Sequence, residues 1–398
     1  MRTPAFLRPL TGLVRTAALL GAVALTAVGC DTPEGTSAPP PASECPAPES
    51  RALALVVGAR SNSPVPQLPS YVKSLLDAAV DESALVAVVR VDGSPETVFA
   101  KPFHSDAQND PARDADRNSY LKQVAAAMRS AKAVRPEADP LTAIGLAARA
   151  TGPGGTVVVV DSGLQTVEPL DFRGDGVLDA EPDDVAGFLA RSASLPSLSG
   201  IHVRLVGIGD TSAPQSPLPV RRHDNLVAIW RAIAEEAKAA CVSVDVTPRQ
   251  GRSLAGTPAV SPVNVPPVET YQADCGDHVL RNDGSVGFKP DLADLRDPKR
   301  ARTALRDLAS WATTHDAKVR LTGTTASAGT KEGRARLSLQ RAEAVRSVLV
   351  ELGVPADRVT VRGVGADWPG YVNDRNADGS LLPGPAERNR SVVLTLTC

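Results

Sequence analysis

Val319–Ala344 reads VRLTGTTASAGTKEGRARLSLQRAEA. Val319 and Leu321 mark an apolar strand, a Gly/Ser/Thr-rich loop follows, and an amphipathic helix opens at Leu337-Ser338 and carries Arg341-Ala342. The helix is predicted to run to Leu352, with Gly353 as its stop. Upstream, Val286-Gly287-Phe288 reads as part of a first strand region. Arg302 to Ala312 reads as a helix, with Leu305, Leu308 and Trp311 at three-residue spacing on one face. Downstream lie a strand at Val359 to Arg362 and a long polar loop. Glu387-Arg388-Asn389-Arg390 then leads into a last strand at Ser391 to Thr397.

This order resembles the OmpA-like peptidoglycan-binding family over roughly Cys275 to Cys398. Gly323 and Thr325 match its G-x-T-D loop, Leu337, Ser338, Arg341 and Ala342 its L-S-x-x-R-A, and Arg388, Asn389 and Arg390 its R-N-R. The resemblance implies a small α+β βαβαβ domain with a mixed sheet and two helices on one side. It also implies a site for the diaminopimelate end of the peptidoglycan stem peptide, a zwitterion with one carboxylate and one ammonium. A guanidinium fork suits the carboxylate and an acid suits the ammonium. Arg341 falls on the carboxylate-binding position, beside the Thr325 loop. Arg388 and Arg390 are in part structural, with one facing the groove. Two positions depart from the pattern. The Asp that would take the ammonium is Ala326, fifteen residues before Arg341, and the Asn before L-S is Arg334. The groove is therefore more cationic than the family implies. Three outcomes are open: binding through Arg341 and backbone amides, another wall polymer as ligand, or a scaffold without ligand.

The other end of the chain carries an export signal. Arg2, Arg8 and Arg15 precede an apolar core at Ala17 to Leu25, and Ala27-Val28-Gly29-Cys30 resembles a bacterial lipobox. Residues 1–29 are thus expected to be a lipoprotein signal peptide and Cys30 the lipidated residue, with the membrane as a partner through acyl chains. Residues 30–50 are rich in Pro, Ser, Thr and Glu and are expected to be a disordered tether. With Cys30 set aside, four of the five cysteines remain, an even number in an oxidising compartment. Cys45 and Cys241 bracket one expected domain and Cys275 and Cys398 the other, so each pair is predicted to form a disulfide. With a net charge of −2, nothing in the composition points to the strongly basic face of a nucleic-acid binder, and no nucleic-acid partner is expected.

Residues 51–246 alternate apolar runs with helical patterns. Ala52 to Gly58 and Thr156 to Val160 read as strands buried on both faces of a parallel sheet, and Asp92-Gly93 as the turn of an early hairpin. Helices are expected at Tyr71 to Val80, Tyr120 to Ala133, Leu141 to Ala150, Asp183 to Ser192 and Leu226 to Ala240. Further strands are expected at His202 to Gly207 and Val242 to Val246. This is a doubly wound α/β domain, and its hairpin and element order resemble the von Willebrand factor A-like fold. That resemblance implies a metal above the strand ends. Here Ser61 and Ser63 match the two serines of D-x-S-x-S and Asp161 the later acid, while Thr142 is a candidate for the Thr. Ala59 replaces the first acid, with Arg60 beside it, so the site reads as degenerate and no metal or cofactor is expected.

Three further stretches complete the chain. Asp171 to Asp184 reads as a solvated acidic loop containing Arg-Gly-Asp. Residues 247–274 carry repeated Pro and read as a linker that leaves the domains free to move unless they dock. Asp374-x-Asn376-x-Asp378-Gly379 resembles half an EF-hand loop but reads as a polar turn, because its twelfth position is Pro385. The histidines lack catalytic or metal-spaced partners, and no enzyme is expected. The expected function is that of a membrane-anchored cell-envelope lipoprotein on the extracytoplasmic face. Its OmpA-like domain would contact peptidoglycan non-covalently, and its α/β domain would bind an envelope protein. A metal-dependent adhesion protein and a wall-active hydrolase are the alternatives.

Overall fold

Strands β1 (Leu53–Val57) and β4 (Thr156–Val160) are buried at all five of their positions. The reason is visible in where alternate residues go. Leu53, Leu55 and Val57 enter one apolar cluster with Val72, Tyr120 and Val124, while Ala54 and Val56 enter another with Leu141, Ile144, Leu189 and Trp230. Successive side chains point to opposite faces of a strand, so a strand covered on both faces must be apolar throughout. The structure, a computed structural model, describes residues 45–267 and 271–398, which fall in one compact unit. The expected signal peptide, Cys30 and most of the expected tether lie outside the described residues.

The first lobe is a six-stranded sheet in the order β3-β2-β1-β4-β5-β6. Its strands β2 (Leu85–Arg90), β5 (His202–Val206) and β6 (Cys241–Asp245) are parallel to β1 and β4, and β3 (Glu96–Pro102) returns antiparallel to β2. Helices α1 (Ser70–Asp81) and α2 (Asp110–Ser130) cover one face, and α3 (Pro140–Thr151), α4 (Pro182–Arg191) and α5 (Val220–Glu236) the other. Most of these elements lie within a residue or two of expectation. Helix α2 starts ten residues before Tyr120. Asn109 caps it by accepting from Ala112 N at 3.0 Å, and its exposed polar first half has no apolar period to detect.

The Pro-rich segment after β6 is docked on this lobe as far as the structure describes it. Val260 and Val263 are buried, Val260 N donates to Ser61 Oγ at 2.9 Å, and Val263 N donates to Gln215 Oε1 at 2.7 Å. Apolar burial and satisfied backbone donors hold residues 247–267 in place, contrary to a free linker.

The second lobe has four strands, β7 (Gly276–Arg281), β8 (Lys318–Thr324), β9 (Val359–Gly365) and β10 (Ser391–Thr397), in the order β7-β10-β8-β9. Strands β8 and β9 are parallel and the other pairs antiparallel. Helices α6 (Pro298–Thr314) and α7 (Lys331–Glu351) share one core with the sheet, and a short α8 (Pro383–Asn389) precedes β10. The first strand is β7 rather than the expected 286–288. At the sheet edge β7 buries only Leu280, so its sequence carries little apolar signal. Phe288 is instead a core residue in the following loop. The disulfides are Cys45–Cys241 and Cys275–Cys398, with Cα separations of 5.7 and 5.9 Å. The second joins the outer ends of the paired strands β7 and β10. Among the described residues no helix is long and apolar enough to cross a membrane.

Candidate functional site

The site begins with how closely α7 lies on the sheet. A Cβ at Gly323 would overlap the Ser338 carbonyl, and one at Gly363 would overlap the Leu339 amide. Only residues without a side chain permit that approach. Ser338 Oγ fastens it, accepting from Gly365 N at 3.0 Å and donating to Ala335 O at 2.9 Å. Arg341 sits one turn further along and is 2% exposed. Its guanidinium lies 5.1 Å from the centroid of the Phe288 ring, and its Nε donates to Leu292 O at 2.9 Å. Its two terminal nitrogens make no hydrogen bond among the described residues. Burial pushes its pKa down to about 10 while Glu181 opposes the fall, so it stays cationic at neutral pH.

The loop after β8 is pinned from below by Asp374. That carboxylate accepts from Ser327 N (2.8 Å), Tyr371 Oη (2.6 Å), Asn389 Nδ2 (3.0 Å) and Ser327 Oγ. Burial alone would raise its pKa; these donors outweigh burial and hold it below the usual carboxylate range. The would-be calcium motif is therefore a structural turn. Asp374 is engaged by the protein, Asp378 accepts from Ser380 N at 2.8 Å, and Asn376 from Ala377 N at 2.8 Å. Thr325 is buried and its N donates to Gly365 O at 2.9 Å. Ala326 is buried in a small apolar cluster with Leu381 and Ala386, so the position offers hydrocarbon where an ammonium would need an acid. Arg334 caps the loop through Gly329 O at 2.7 Å.

The R-N-R stretch divides by role. Asn389 is wholly buried and braces the polar loop, accepting from Val372 N and donating to Val372 O at 2.9 and 2.7 Å. Arg388 and Arg390 reach across to the first lobe. Arg390 Nη2 pairs with Asp184 at 2.6 Å and its Nε with Glu181 at 3.5 Å, while Nη1 lies 3.5 Å from Glu387. Arg388 pairs with Asp175 at 2.7 Å. Burial alone would lower the pKa of Arg390; Glu181, Asp184 and Glu387 reverse that and raise it. Glu387 is pushed up to about 7, chiefly by burial, and Glu181 is raised for the same reason despite Arg390.

An open cationic groove is therefore not what the structure contains. Glu181 and Asp184, at the start of α4, hold Arg390 in ion pairs, and Arg341 is buried against Phe288 and Leu292 with Glu181 acting on it electrostatically. The acidic loop before α4 is not solvated as expected, because Phe172, Leu178 and Ala180 anchor it in the first core. Glu181 and Asp184 were missed as site residues. Their one sequence signal, acids at a helix start, points only to the helix dipole.

The strand-end crest of the first lobe is also occupied. Arg60 pairs with Asp161 at 2.8 Å, with both side chains fully buried. Arg60 also donates to Asn62 Oδ1 at 3.0 Å, and Gly163 N donates to Asp161 Oδ1. The residue beside Ala59 thus puts an internal cation on the acid that the metal reading needed. Ser61 bonds the docked segment, Ser63 is buried, and Thr142 is exposed in the first turn of α3 with its N bonded by Asp139. The four residues do not form one ligand set.

The second lobe is a βαβαβ sandwich whose glycine-packed helix carries a buried arginine, and residues 287–379 match the model of the OmpA family. The match includes Phe288, Gly323, Thr325, Ala326 and Arg341 and ends before Arg388. Similar solved structures include the peptidoglycan-associated lipoprotein from Burkholderia pseudomallei, at 24% identity over 28% of this chain and 86% of that one, TM-score 0.23. The OmpA-like domain of FopA1 from Francisella tularensis is 20% identical over 30% and 73%, TM-score 0.22. The cell wall anchor of the T6SS from Pseudomonas aeruginosa is 25% identical over 31% and 80%, TM-score 0.25. No curated protein matches the chain. None of these comparisons supports the von Willebrand factor A-like resemblance of the first lobe.

Proposed function

We propose that this chain is a cell-envelope protein that holds peptidoglycan non-covalently through residues 275–398. In this reading residues 51–246 serve a protein partner, and Cys30 carries a lipid on the extracytoplasmic face of the membrane. The observation that carries the wall reading is Arg341. It lies inside the segment that matches the OmpA family, keeps its charge, and has two terminal nitrogens with no hydrogen bond among the described residues. Those groups form the fork that a carboxylate accepts in bidentate fashion. With Ala326 apolar and Asp374 engaged, the ammonium of a stem peptide gains no acid at either place. The ligand feature recognised is therefore the carboxylate.

Co-sedimentation of the full chain with purified peptidoglycan tests this. Arg341→Ala is expected to weaken binding at least tenfold while the circular dichroism spectrum is unchanged. Equal binding by a folded Arg341→Ala protein would remove the proposal. Radiolabelled palmitate incorporation into wild type but not Cys30→Ser is the expected sign of the anchor.

A further inference from the structure

The acids paired with Arg390, beside the proposed wall site, belong to this same chain. Asp184 and Glu181 approach Arg390 at 2.6 and 3.5 Å, and Glu181 also acts electrostatically on Arg341. Glu181 Oε1 is buried without a hydrogen bond. A buried carboxylate oxygen left unsatisfied is costly, and its surroundings here are guanidinium groups. A second contact lies beside the first. Gly176 and Gly384 bring the two backbones together so closely that a Cβ at Gly176 would stand 2.7 Å from Gly384 O. Arg388 closes on Asp175 next to it at 2.7 Å.

From this juxtaposition we infer that Glu181 and Asp184 are an in-chain latch: carboxylates of the first lobe occupy the cationic site of the second and must leave before a wall carboxylate can enter. The inference rests on the wall reading above and adds its regulation. A wall carboxylate at Arg341 and the latch at Arg390 compete for one cationic cluster, in which Glu181 acts on both guanidinium groups. The latch is tethered, so it competes at a high effective concentration. The closed chain then binds with its intrinsic affinity reduced by the fraction that is open. The latch also separates two kinds of contact. Arg60–Asp161 is a pair within one lobe and holds in either state, whereas Arg390–Asp184 and Arg388–Asp175 exist only when the lobes meet. A binding protein built this way binds weakly until something draws the lobes apart.

Two variants of the full chain open the latch by different means. Glu181→Gln/Asp184→Asn removes the competing charges, and Gly176→Val forces the backbones apart at Gly384, its Cβ meeting the Arg388 stem at 3.4 Å and none of the other arginines among its nearest atoms. Amide hydrogen exchange over residues 181–191 and 383–391 reports opening, and co-sedimentation with purified peptidoglycan reports binding. The expected result is faster exchange in both segments and at least tenfold tighter binding by both variants, lost again when Arg341→Ala is added. Unchanged exchange in both variants would show that these contacts do not hold the lobes and would overturn the latch. So would wild-type binding as tight as that of variants which exchange faster. Faster exchange with no binding by any form would instead overturn the wall reading, and the inference would fall with it.

Discussion

Asp374→Ala tests the scaffold beneath the site. Four donors converge on this fully buried carboxylate: Ser327 N, Ser327 Oγ, Tyr371 Oη and Asn389 Nδ2. The two hydroxyls can turn toward other acceptors once the carboxylate is gone. The Ser327 amide and the buried Asn389 amide cannot, and each then costs about 1–3 kcal/mol as an unsatisfied donor. Added to the lost charge-assisted bonds, the substitution should cost about 3–5 kcal/mol, a large share of the ~5–15 kcal/mol that holds a typical domain together. Asp374→Asn keeps the shape but turns an N–H₂ toward donors, and should cost about 2 kcal/mol. Urea unfolding read by circular dichroism measures both. The sign of the pH dependence follows from the lowered carboxyl pKa. The stabilisation is complete above the ordinary value of 3.8 and is lost as pH falls through the folded value. The gap between wild type and Asp374→Asn should therefore close in acid. A cost below about 1 kcal/mol for Asp374→Ala, or a gap that persists in acid, would refute the account of Asp374 as the brace of this loop.

Glu387 should act with the opposite sign. Its pKa is pushed up from 4.5 to about 7 by burial, with Arg390, Asn282 and Arg296 opposing and Glu181 assisting, so the folded protein binds the extra proton. Stability should therefore fall by about 3 kcal/mol as pH rises from 4.5 to 7, and Glu387→Gln should flatten that slope in urea melts taken across the range. Ala326→Asp should not rebuild an ammonium site. It buries a carboxylate among Leu381 and Ala386 and should destabilise by about 2 kcal/mol or more, without any gain in sedimentation with peptidoglycan.

Residues with local or periodic causes were legible in the chain. The ALALVVG run had to be a strand covered on both faces, because nothing polar interrupts it. Gly323, Ser338 and Arg341 keep the spacing of a loop and helix packed on a strand, and the structure puts Ser338 against Gly323 and Gly363. Cys275 and Cys398 bracket the second lobe because β7 and β10 are neighbours in its sheet. Signals failed where an element is polar or short. Strand β7 buries one residue, and α8 is a seven-residue helix opened by Pro383.

What the linear chain determined by itself is most of the elements and which strands are covered on both faces. Apolar period, glycine and charge are properties of neighbours a few residues apart. Only the tertiary structure decided which charges meet. Arg60 turns onto Asp161, a partner 101 residues away, and Arg390 onto Asp184, 206 residues away. An ion pair carries no periodicity and places no constraint on the sequence between its members. Whether an arginine faces solvent, a wall carboxylate or an acid of its own chain is therefore decided only when the two lobes come together.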